Sequence, residues 1–71
     1  MKIEIKYFVY EKRMQRNLSS RRLAELSGIS HTEINNIENG KKHPSLMTMC
    51  MIAAALETDP CSLFPYEIVQ N

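Results

Sequence analysis

The sequence predicts an all-α fold, a compact bundle of five short helices that forms a single domain over residues 1–71. Apolar residues recur three and four positions apart along most of the chain, which is the spacing of one buried helix face. Serine, asparagine, glycine and an Asp-Pro pair separate these apolar segments at intervals of one short helix. A core of this size supplies little net stability, so close helix packing or self-association is expected to matter.

The first two helices are expected in the N-terminal part of the chain. Residues 1–5 alternate like a short strand and are expected to be extended or frayed, and Lys6–Arg16 is expected to be helical. Asn17 suits the left-handed conformation that ends many helices. Ser19 then caps a second helix that runs to about Ser27.

The second and third helices are joined by a turn that needs a glycine. Leu23 and Leu26 share one face of the second helix, and Gly28 follows where a chain leaving a helix often needs a positive φ. Ser30 can cap the third helix by accepting a hydrogen bond from a backbone N–H of its first turn. The third helix is expected to end near Asn39.

Two more helices are expected in the C-terminal part. The fourth opens at Pro44-Ser45, with either Ser45 or Lys42-His43 near its cap, and runs to about Leu56. The fifth begins at Asp59, an acid suited to the N-cap, followed by Pro60 at the first helical position. Residues 65–71 remain as a tail or an extra turn.

The net charge of the chain is only +1, but its basic residues are unevenly placed. Lysines and arginines occur without any acid between Lys12 and Arg22, and Lys41 and Lys42 form a second cluster. A local basic surface on a near-neutral protein is compatible with DNA binding, because the field at the contact matters more than the total charge. A solvated charged face has the same composition, so charge alone does not decide between the two.

The cysteines and the apolar segments indicate the compartment. Cys50 and Cys61 are too few and too far apart for a zinc ribbon, and buried thiols in a reducing cytosol are expected. No apolar run reaches membrane-spanning length, and the first residues lack the apolar core of a signal peptide. A cytoplasmic protein is therefore expected.

The third helix has a polar outer side with the chemistry of a DNA reader. Ile34 and Ile37 supply its inward face. The polar side carries His31, Thr32, Asn35 and Asn36. Asparagine can pair with the adenine edge, and threonine offers a hydroxyl group and a methyl group that suits thymine. These residues could also be ordinary surface side chains, although asparagine is a mediocre helix former and propensity does not explain a tandem pair mid-helix.

A longer pattern continues through most of the chain in one ungapped register. Its residues are Leu18-Ser19, Leu23-Ala24, Ser27-Gly28-Ile29-Ser30, Ile34, Ile37-Glu38-Asn39-Gly40-Lys41, Pro44-Ser45-Leu46, Thr48, Ile52-Ala53, Ala55-Leu56 and Leu63-Phe64. In these residues the sequence resembles the Xre-type helix-turn-helix family, the group of phage Cro proteins and lambda-like repressors. The resemblance implies a five-helix, lambda-repressor-like DNA-binding domain whose third helix enters the major groove.

The resemblance also implies roles for individual residues. Base-reading positions are implied at the four polar residues of the third helix named above. Phosphate contacts are implied at Ser20, Ser30, Lys41, Lys42, His43 and Ser45. Two residues depart from the family pattern: Ser20 stands where the family often has a glutamine that contacts DNA, and Glu33 could accept from cytosine or repel phosphate. Both leave the operator sequence open.

An ion pair between Arg13 and Glu38 is expected for two reasons. In folds of this family, an arginine of the first helix pairs with the glutamate near the end of the recognition helix, and both residues occur here. Glu38 also falls on the inward face, where a bare carboxylate would be costly. We therefore expect a partly buried pair that fixes the third helix.

Two surfaces are candidates for self-association or for a protein partner. In the fourth helix, Leu46, Met49, Ile52, Ala53 and Leu56 are expected to face inward, with Cys50 near the border. Methionine-rich surfaces are adaptable interfaces, although a broad buried face would have the same composition. One candidate interface consists of Met47, Met51 and Ala54, and the other of Phe64, Tyr66, Ile68 and Val69.

The expected function is that of a sequence-specific, double-stranded DNA-binding transcriptional regulator, a repressor that binds an inverted-repeat operator as a homodimer. No metal-ligand spacing, phosphate-cradling glycine loop or nucleophile beside a base predicts a cofactor or an enzyme. One alternative is an antitoxin or phage-type switch protein whose main partner is another protein. The other is a helical interaction module that has lost DNA binding, against which Asn35, Asn36, Lys41 and Lys42 argue.

Overall fold

The computed structural model describes residues 1–70 and contains five helices and two short strands. In chain order the elements are β1 (Lys2–Ile5), α1 (Val9–Gln15), α2 (Ser20–Ser27), α3 (His31–Glu38), α4 (Leu46–Ala55), α5 (Pro60–Leu63) and β2 (Tyr66–Val69). The helices pack around one core, and the strands pair with each other. The five predicted helices are present, but the sheet means that the fold is mostly helical rather than all-α.

Four of the five helices begin at the side-chain caps that the sequence predicts. In each case the cap oxygen accepts a hydrogen bond from the backbone N–H three residues further on, at 3.0–3.1 Å. These caps are Ser19, Ser30, Ser45 and Asp59. Each cap satisfies one of the backbone donors that the first turn of a helix leaves unpaired, so the sequence fixes these helix starts locally.

Besides α2, which ends at Gly28, three of the helices end in a residue with a left-handed backbone. These residues are Asn17, Gly40 and Glu57, with φ of 56°, 71° and 54°. After α3, for example, the N–H of Lys41 donates to the carbonyl of Asn36 at 2.9 Å, which closes the last turn in a Schellman arrangement. The left-handed C-cap expected at Asn17 is present, whereas the one at Glu57 has no sequence signal because glutamate seldom adopts this conformation.

The two strands correct the prediction for both ends of the chain. β1 and β2 form an antiparallel sheet in which Lys2 faces Val69 and Ile5 faces Tyr66. Residues 1–5 are extended as expected but paired rather than frayed, and most of the expected tail over 65–71 is strand β2. Asn71 lies outside the described residues. The sequence does not predict this pairing, because no tight turn joins the two strands and the sequence signals of a hairpin are local.

Helix α1 starts at Val9 rather than at Lys6, because residues 6–8 continue the backbone pairing of β1 beyond the end of that strand. The N–H of Lys6 donates to the carbonyl of Pro65 at 2.8 Å, and the N–H of Phe8 donates to the carbonyl of Leu63 at 2.9 Å. These bonds hold residues 6–8 against the end of α5 and prevent the helix from beginning before Val9.

The core consists mostly of side chains that the helical spacing predicts, and Phe64, expected in a candidate interface, also belongs to it. Its buried apolar members are Val9, Leu23, Ile29, Ile34, Ile37, Ile52, Ala53, Leu56, Leu63 and Phe64. Leu26 is exposed because Leu23, Ala24 and Ser27 occupy the inward arc of α2. Leu46 was expected to face inward but is 70% exposed, because it is the first residue of α4 and lies beyond the packed part of that helix.

The two cysteines also differ from the prediction. Cys50 and Cys61 are free thiols as expected, but both are exposed rather than buried. Cys50 lies on the outer side of α4, and Cys61 lies in the first turn of the short α5. Neither position is covered by a neighbouring helix.

Within residues 1–70, His, Cys, Asp and Glu side chains do not form a group of three that could hold a metal ion. None of the helices formed by these residues has the length and the apolar character needed to cross a bilayer.

Candidate nucleic-acid interface

The turn between α2 and α3 sets the direction in which α3 leaves the core. Gly28 has a φ of +78°, and its N–H donates to the carbonyl of Ala24 at 2.9 Å, which ends α2. Ser27 is buried, and its Oγ accepts from the N–H of Ile29 at 3.2 Å. Ile29 is itself part of the core, so the turn is fixed on both sides of the glycine. Ser30 then starts the next helix.

The outer side of α3 is open, as the sequence predicts. Ile34 and Ile37 are fully buried, so the opposite side of the helix points away from the core. Thr32 is exposed, and Asn35 and Asn36 are each partly exposed. Within residues 1–70, no hydrogen bond engages the side chains of these three residues. Their hydroxyl and amide groups are therefore available to an external partner.

Asn39 extends this surface by one turn and was not among the predicted site residues. It is the exposed C-cap of α3 and lies seven residues after Thr32, which places both on the same side of the helix. The spacing of seven residues from Thr32 is the sequence signal for this position. The prediction treats Asn39 only as the end of the helix and therefore does not place it on the outer surface.

His31 and Ser20 contact each other instead of standing apart. The Oγ of Ser20 lies 2.8 Å from the Nε2 of His31, so a hydrogen bond joins the start of α2 to the start of α3. Both side chains are partly buried. Sequence reasoning gave the two residues separate contacts with phosphate and base, whereas the structure holds them as a pair beside the open face of α3.

The loop after α3 carries two exposed lysines, one of which has an internal partner. Lys41 and Lys42 are both exposed. The Nζ of Lys42 lies 3.6 Å from the Oε1 of Glu33 on α3. Glu33 therefore offsets part of the positive charge at this edge of the surface. From the sequence, Lys41 and Lys42 are interpreted as a cluster of two free cations. Ser45, at the start of α4, is exposed beside them, and its Oγ is hydrogen-bonded to Thr48.

His43, in the loop after α3, contacts Tyr7, which lies between β1 and α1. Its Nδ1 is hydrogen-bonded to the hydroxyl group of Tyr7, and the two rings stack at a centroid distance of 6.0 Å. Tyr7 also packs edge-on against Phe64 of the core. The loop after α3 is thus anchored by an aromatic contact that sequence reasoning did not identify, and Nδ1 of His43 is already engaged.

Arg13 and Glu38 form the predicted ion pair. Nε and Nη2 of Arg13 donate to the two carboxylate oxygens of Glu38 at 2.8 and 3.0 Å. The side chains are only 11% and 7% exposed. Arg13 also donates to the carbonyl of Leu18 at 3.0 Å and lies over the ring of Tyr10. The hydrogen bond to Glu38 raises the pKa of Arg13 above its ordinary value, so the guanidinium remains charged.

The basic segment between Lys12 and Arg22 is not a free cationic surface. Besides the buried Arg13, Arg16 pairs with Glu57 at 2.8 Å and Arg22 pairs with Glu25 at 3.0 Å. Lys12 is partly buried. Three of the five basic side chains of this segment are therefore paired with acids: Arg13 and Arg16 with glutamates that are distant in sequence, and Arg22 with Glu25 on the same helix.

The outer stripe of α4 differs from the predicted one by a single residue. Met47 and Ala54 are exposed, but Met51 packs against the core and its methyl group approaches the turn at Gly28. Cys50 is exposed between Met47 and Ala54, three and four residues from them, and completes the stripe instead. The expected surface of Met47, Met51 and Ala54 is therefore wrong in its middle member.

The second candidate interface divides into buried and exposed parts. Phe64 is only 8% exposed and belongs to the core, so it cannot lie on an open surface. Tyr66 and Ile68 are exposed on one face of β2, whereas Val69 is partly buried on the other face. Successive side chains of a strand point to opposite faces, which separates Tyr66 and Ile68 from Val69. The prediction for this segment contained no strand and therefore did not make this distinction.

Comparison with known proteins identifies the family. The helix-turn-helix family HTH_3 matches residues 9–63, from the first residue of α1 to the last residue of α5. The chain belongs to this helix-turn-helix family. The resemblance inferred from the sequence is thereby confirmed, and the two strands lie outside the part that the family describes.

Relatives of known name include regulators. The chain is 49% identical over 39 residues to the HTH-type transcriptional regulator PuuR of Escherichia coli strain K12, a match covering 55% of this chain and 21% of PuuR. It is 34% identical over 55 residues to the control protein C.SmaI of Serratia marcescens, covering 78% of this chain and 66% of C.SmaI. The similarity thus concerns a fifth of the length of PuuR and about two thirds of C.SmaI.

Solved structures of the family have the same fold. The restriction-modification controller protein C.AhdI of Aeromonas hydrophila superimposes with a TM-score of 0.72 at 33% identity, over 73% of this chain and 79% of that one. An HTH_3 family transcriptional regulator of Vibrio cholerae superimposes with a TM-score of 0.73 at 31% identity, over 76% of this chain and 30% of that one.

Proposed function

We propose that this protein is a sequence-specific, double-stranded DNA-binding transcriptional regulator whose helix α3 enters the major groove. The observation that carries the proposal is the free polar side of α3. The side chains of Thr32, Asn35 and Asn36 have no hydrogen-bond partner among residues 1–70, while Ile34 and Ile37 are buried on the opposite side. Amide groups in this position can make the paired hydrogen bonds by which adenine is distinguished from the other bases.

The edges of α3 supply groups suited to the DNA backbone. Lys41 and Lys42 lie just after the helix, and Ser30 and Ser45 mark the beginnings of α3 and α4. Unpaired backbone N–H groups at a helix start favour an anion, and exposed lysines add charge attraction. We expect these groups to bind phosphates and to set the register of α3 against the bases.

The names of the relatives support the same function. PuuR and the Vibrio cholerae protein are called transcriptional regulators, and C.SmaI and C.AhdI are called control or controller proteins. The match covers only part of PuuR. We therefore propose for this chain the general function of its relatives and not a particular set of regulated genes. The proposed mechanism involves no cofactor and no catalysis.

A dimer is the arrangement that best suits such a domain. Two copies related by a two-fold axis would place one α3 helix in each of two successive major grooves of an inverted repeat, about 34 Å apart. Occupation of that site would block RNA polymerase, so we propose a repressor. About five or six phosphate contacts for each copy would make the affinity fall steeply with salt concentration.

The deciding experiment is selection of bound fragments from a random DNA pool, followed by sequencing. The proposal expects enrichment of one motif with inverted-repeat symmetry. A variant carrying T32A and N36A removes exposed groups without touching the core, and we expect it to lose the enrichment while its thermal unfolding is unchanged. Gln15→Ala, an exposed change on α1, is the matched control and should select the wild-type motif.

A second measurement tests the direction of regulation. The selected motif placed over the promoter of a reporter gene should lower its expression when the protein is present. If the wild-type protein enriches no motif, or if the T32A/N36A variant enriches the same motif equally well, α3 is not the reading element and the proposed function is wrong.

A further inference from the structure

The two-stranded sheet carries an apolar face that Met49 of α4 and Phe64 cover only in part. Ile3 faces Ile68 and Ile5 faces Tyr66 across the sheet, so the four side chains lie on the same side. They are 41–66% exposed. An isolated two-stranded sheet is at best marginally stable in water, so this one gains from further pairing or cover.

The other face of the sheet has an unbalanced charge. Glu4 lies directly opposite Glu67, and like charges in this position destabilise a strand pair. Lys6 pairs with Glu67 at 3.4 Å. Among residues 1–70, no cation lies within ion-pair distance of Glu4. Strand β1 therefore presents a carboxylate that has no positive partner in the described part of the chain.

The outer edge of β1 is free to accept another strand. In the described part of the chain, the sheet has only two strands, so one edge of β1 has no backbone partner. A groove runs beside it and is lined by residues 3–8 and His43. Edge strands of this kind are templates for pairing with a second chain.

The sequence of β1 is complementary to itself in one antiparallel register. When the two-fold axis passes through the centre of this register at Ile3, the Ile3 residues of the two copies face each other. Lys2 of each copy then faces Glu4 of the other copy, which gives two ion pairs. A register centred on Glu4 places two carboxylates opposite each other, and one centred on Lys2 places two ammonium groups opposite each other. A shift by one residue would turn the apolar face of one copy to the opposite side.

We propose that two copies of this chain associate through β1, antiparallel and centred on Ile3, to form a continuous four-stranded sheet. The proposal rests on the proposed function in that it supplies the dimer that an inverted-repeat site requires. Lys2 of each copy provides the cation that Glu4 lacks, and the apolar faces join into one surface. The symmetry is that of a closed two-fold dimer, in which both copies use the same patch.

Strand β2 is the less suitable edge for the same contact. A pairing of β2 with its copy centred on Glu67 opposes two carboxylates, and one centred on Ile68 places Glu67 opposite Val69. Neither register creates an ion pair. Charge complementarity therefore selects β1.

The proposal is tested by reversing the charges of β1 and measuring the association constant by sedimentation equilibrium without DNA. Lys2→Glu and Glu4→Lys each turn two attractive contacts between copies into two repulsive ones, and we expect each to weaken association by about tenfold or more. The double variant K2E/E4K restores both ion pairs across the axis and should associate nearly as the wild type does.

Glu4→Lys is the more informative single variant because its effects within and between copies are opposite. Within one chain the new lysine faces Glu67, which relieves the like-charge pair and should preserve or strengthen the sheet. Between copies it faces Lys2 and should repel. Weaker association is therefore expected together with unchanged or higher thermal stability of the monomer, measured at concentrations at which both proteins are monomeric, only if β1 is the interface.

A cross-linking experiment locates the axis. In a background with Cys50 and Cys61 changed to serine, I3C places two thiols opposite each other at a Cβ separation of about 4.5–5.5 Å, which a small movement of the edge strands brings to the roughly 3.5–4.5 Å of a disulfide. Mild oxidation should give a covalent dimer. I68C, which faces Ile3 within its own chain, is the matched control and should remain uncoupled.

Several results would overturn the proposal. These are a wild-type protein that stays monomeric at micromolar concentrations, single reversals that associate like the wild type, a double variant that is not restored, and an I68C variant that cross-links as well as I3C. Dissociation by Met47→Glu without any effect of K2E would assign the dimer to α4 instead.

The outcomes distinguish this proposal from the proposed function. If a DNA motif is enriched while the charge variants associate normally, the β1 interface is wrong and the DNA-binding function stands. If the charge variants shift the association as expected while no motif is enriched, the dimer stands and the proposed function is wrong.

Discussion

Arg13 of α1 and Glu38 of α3 are joined by two parallel hydrogen bonds of 2.8 and 3.0 Å in a largely buried position. Glu38 is the last residue of α3, so the pair fixes the end of that helix opposite to its Ser30 cap. Paired, two-point contacts between guanidinium and carboxylate restrict orientation as well as distance. The outer side of α3 is thus held at one rotation about the helix axis.

Arg13→Ala should lower the free energy of unfolding by about 3 kcal/mol, because it leaves the carboxylate of Glu38 buried without a partner. Denaturation by urea at neutral pH measures this change. Arg16→Ala is the matched control: Arg16 also pairs with a glutamate, Glu57, but both side chains are exposed, so a change of at most about 1 kcal/mol is expected. A loss below about 0.5 kcal/mol for Arg13→Ala would contradict the structural role of the pair.

Gly28→Ala should destabilise the protein by about 1–2 kcal/mol, since an alanine at φ +78° is strained. The new Cβ would lie 3.5 Å from the Cε of Met51, an ordinary contact, so backbone strain is the main cause. Gly28→Asn should cost less, because asparagine tolerates this conformation, as Asn17 does in the same chain. Equal losses for alanine and asparagine in thermal unfolding would contradict this account.

Asn36→Ala should weaken binding to the selected DNA site by about 1–3 kcal/mol and relax the preference at one base pair. Competition binding against sites changed at each position measures both effects. A uniform loss across all DNA sequences would show instead that Asn36 contacts the backbone, and would remove it from the base-reading residues.

Glu33→Gln should strengthen DNA binding and make it more dependent on salt, because it frees the Nζ of Lys42 from an ion pair at 3.6 Å and removes a negative charge near the phosphates. Lys42→Ala should weaken binding to all sequences alike and flatten the salt slope by about one. Affinity measured over a range of salt concentrations tests both variants. A weaker affinity for Glu33→Gln would indicate that the carboxylate accepts a hydrogen bond from a base.

The features that could be predicted from the sequence are those decided over a few residues. Ser19, Ser30, Ser45 and Asp59 cap the helices because each oxygen meets an N–H only three residues away. The left-handed turn at Gly28 is equally local. The open side of α3 follows from the helical repeat and the position of two isoleucines.

The features that were missed depend on segments that lie far apart in the chain. The charge of Arg16 is offset by Glu57, and His43 is held by Tyr7. Helical spacing gives the direction of a side chain but not where the neighbouring helix ends, which is why Leu46 was wrongly assigned to the core. Such contacts require the fold itself to be known.

The pairing of Lys2 with Val69 has a consequence for the order of folding. It closes a loop that contains nearly the whole described chain, and the entropy lost in such a closure is recovered only after the helices have brought the two segments together. The strands therefore join late in folding and separate early under mild destabilisation. Their backbone amides should exchange with deuterated solvent well before those in the middle of α3.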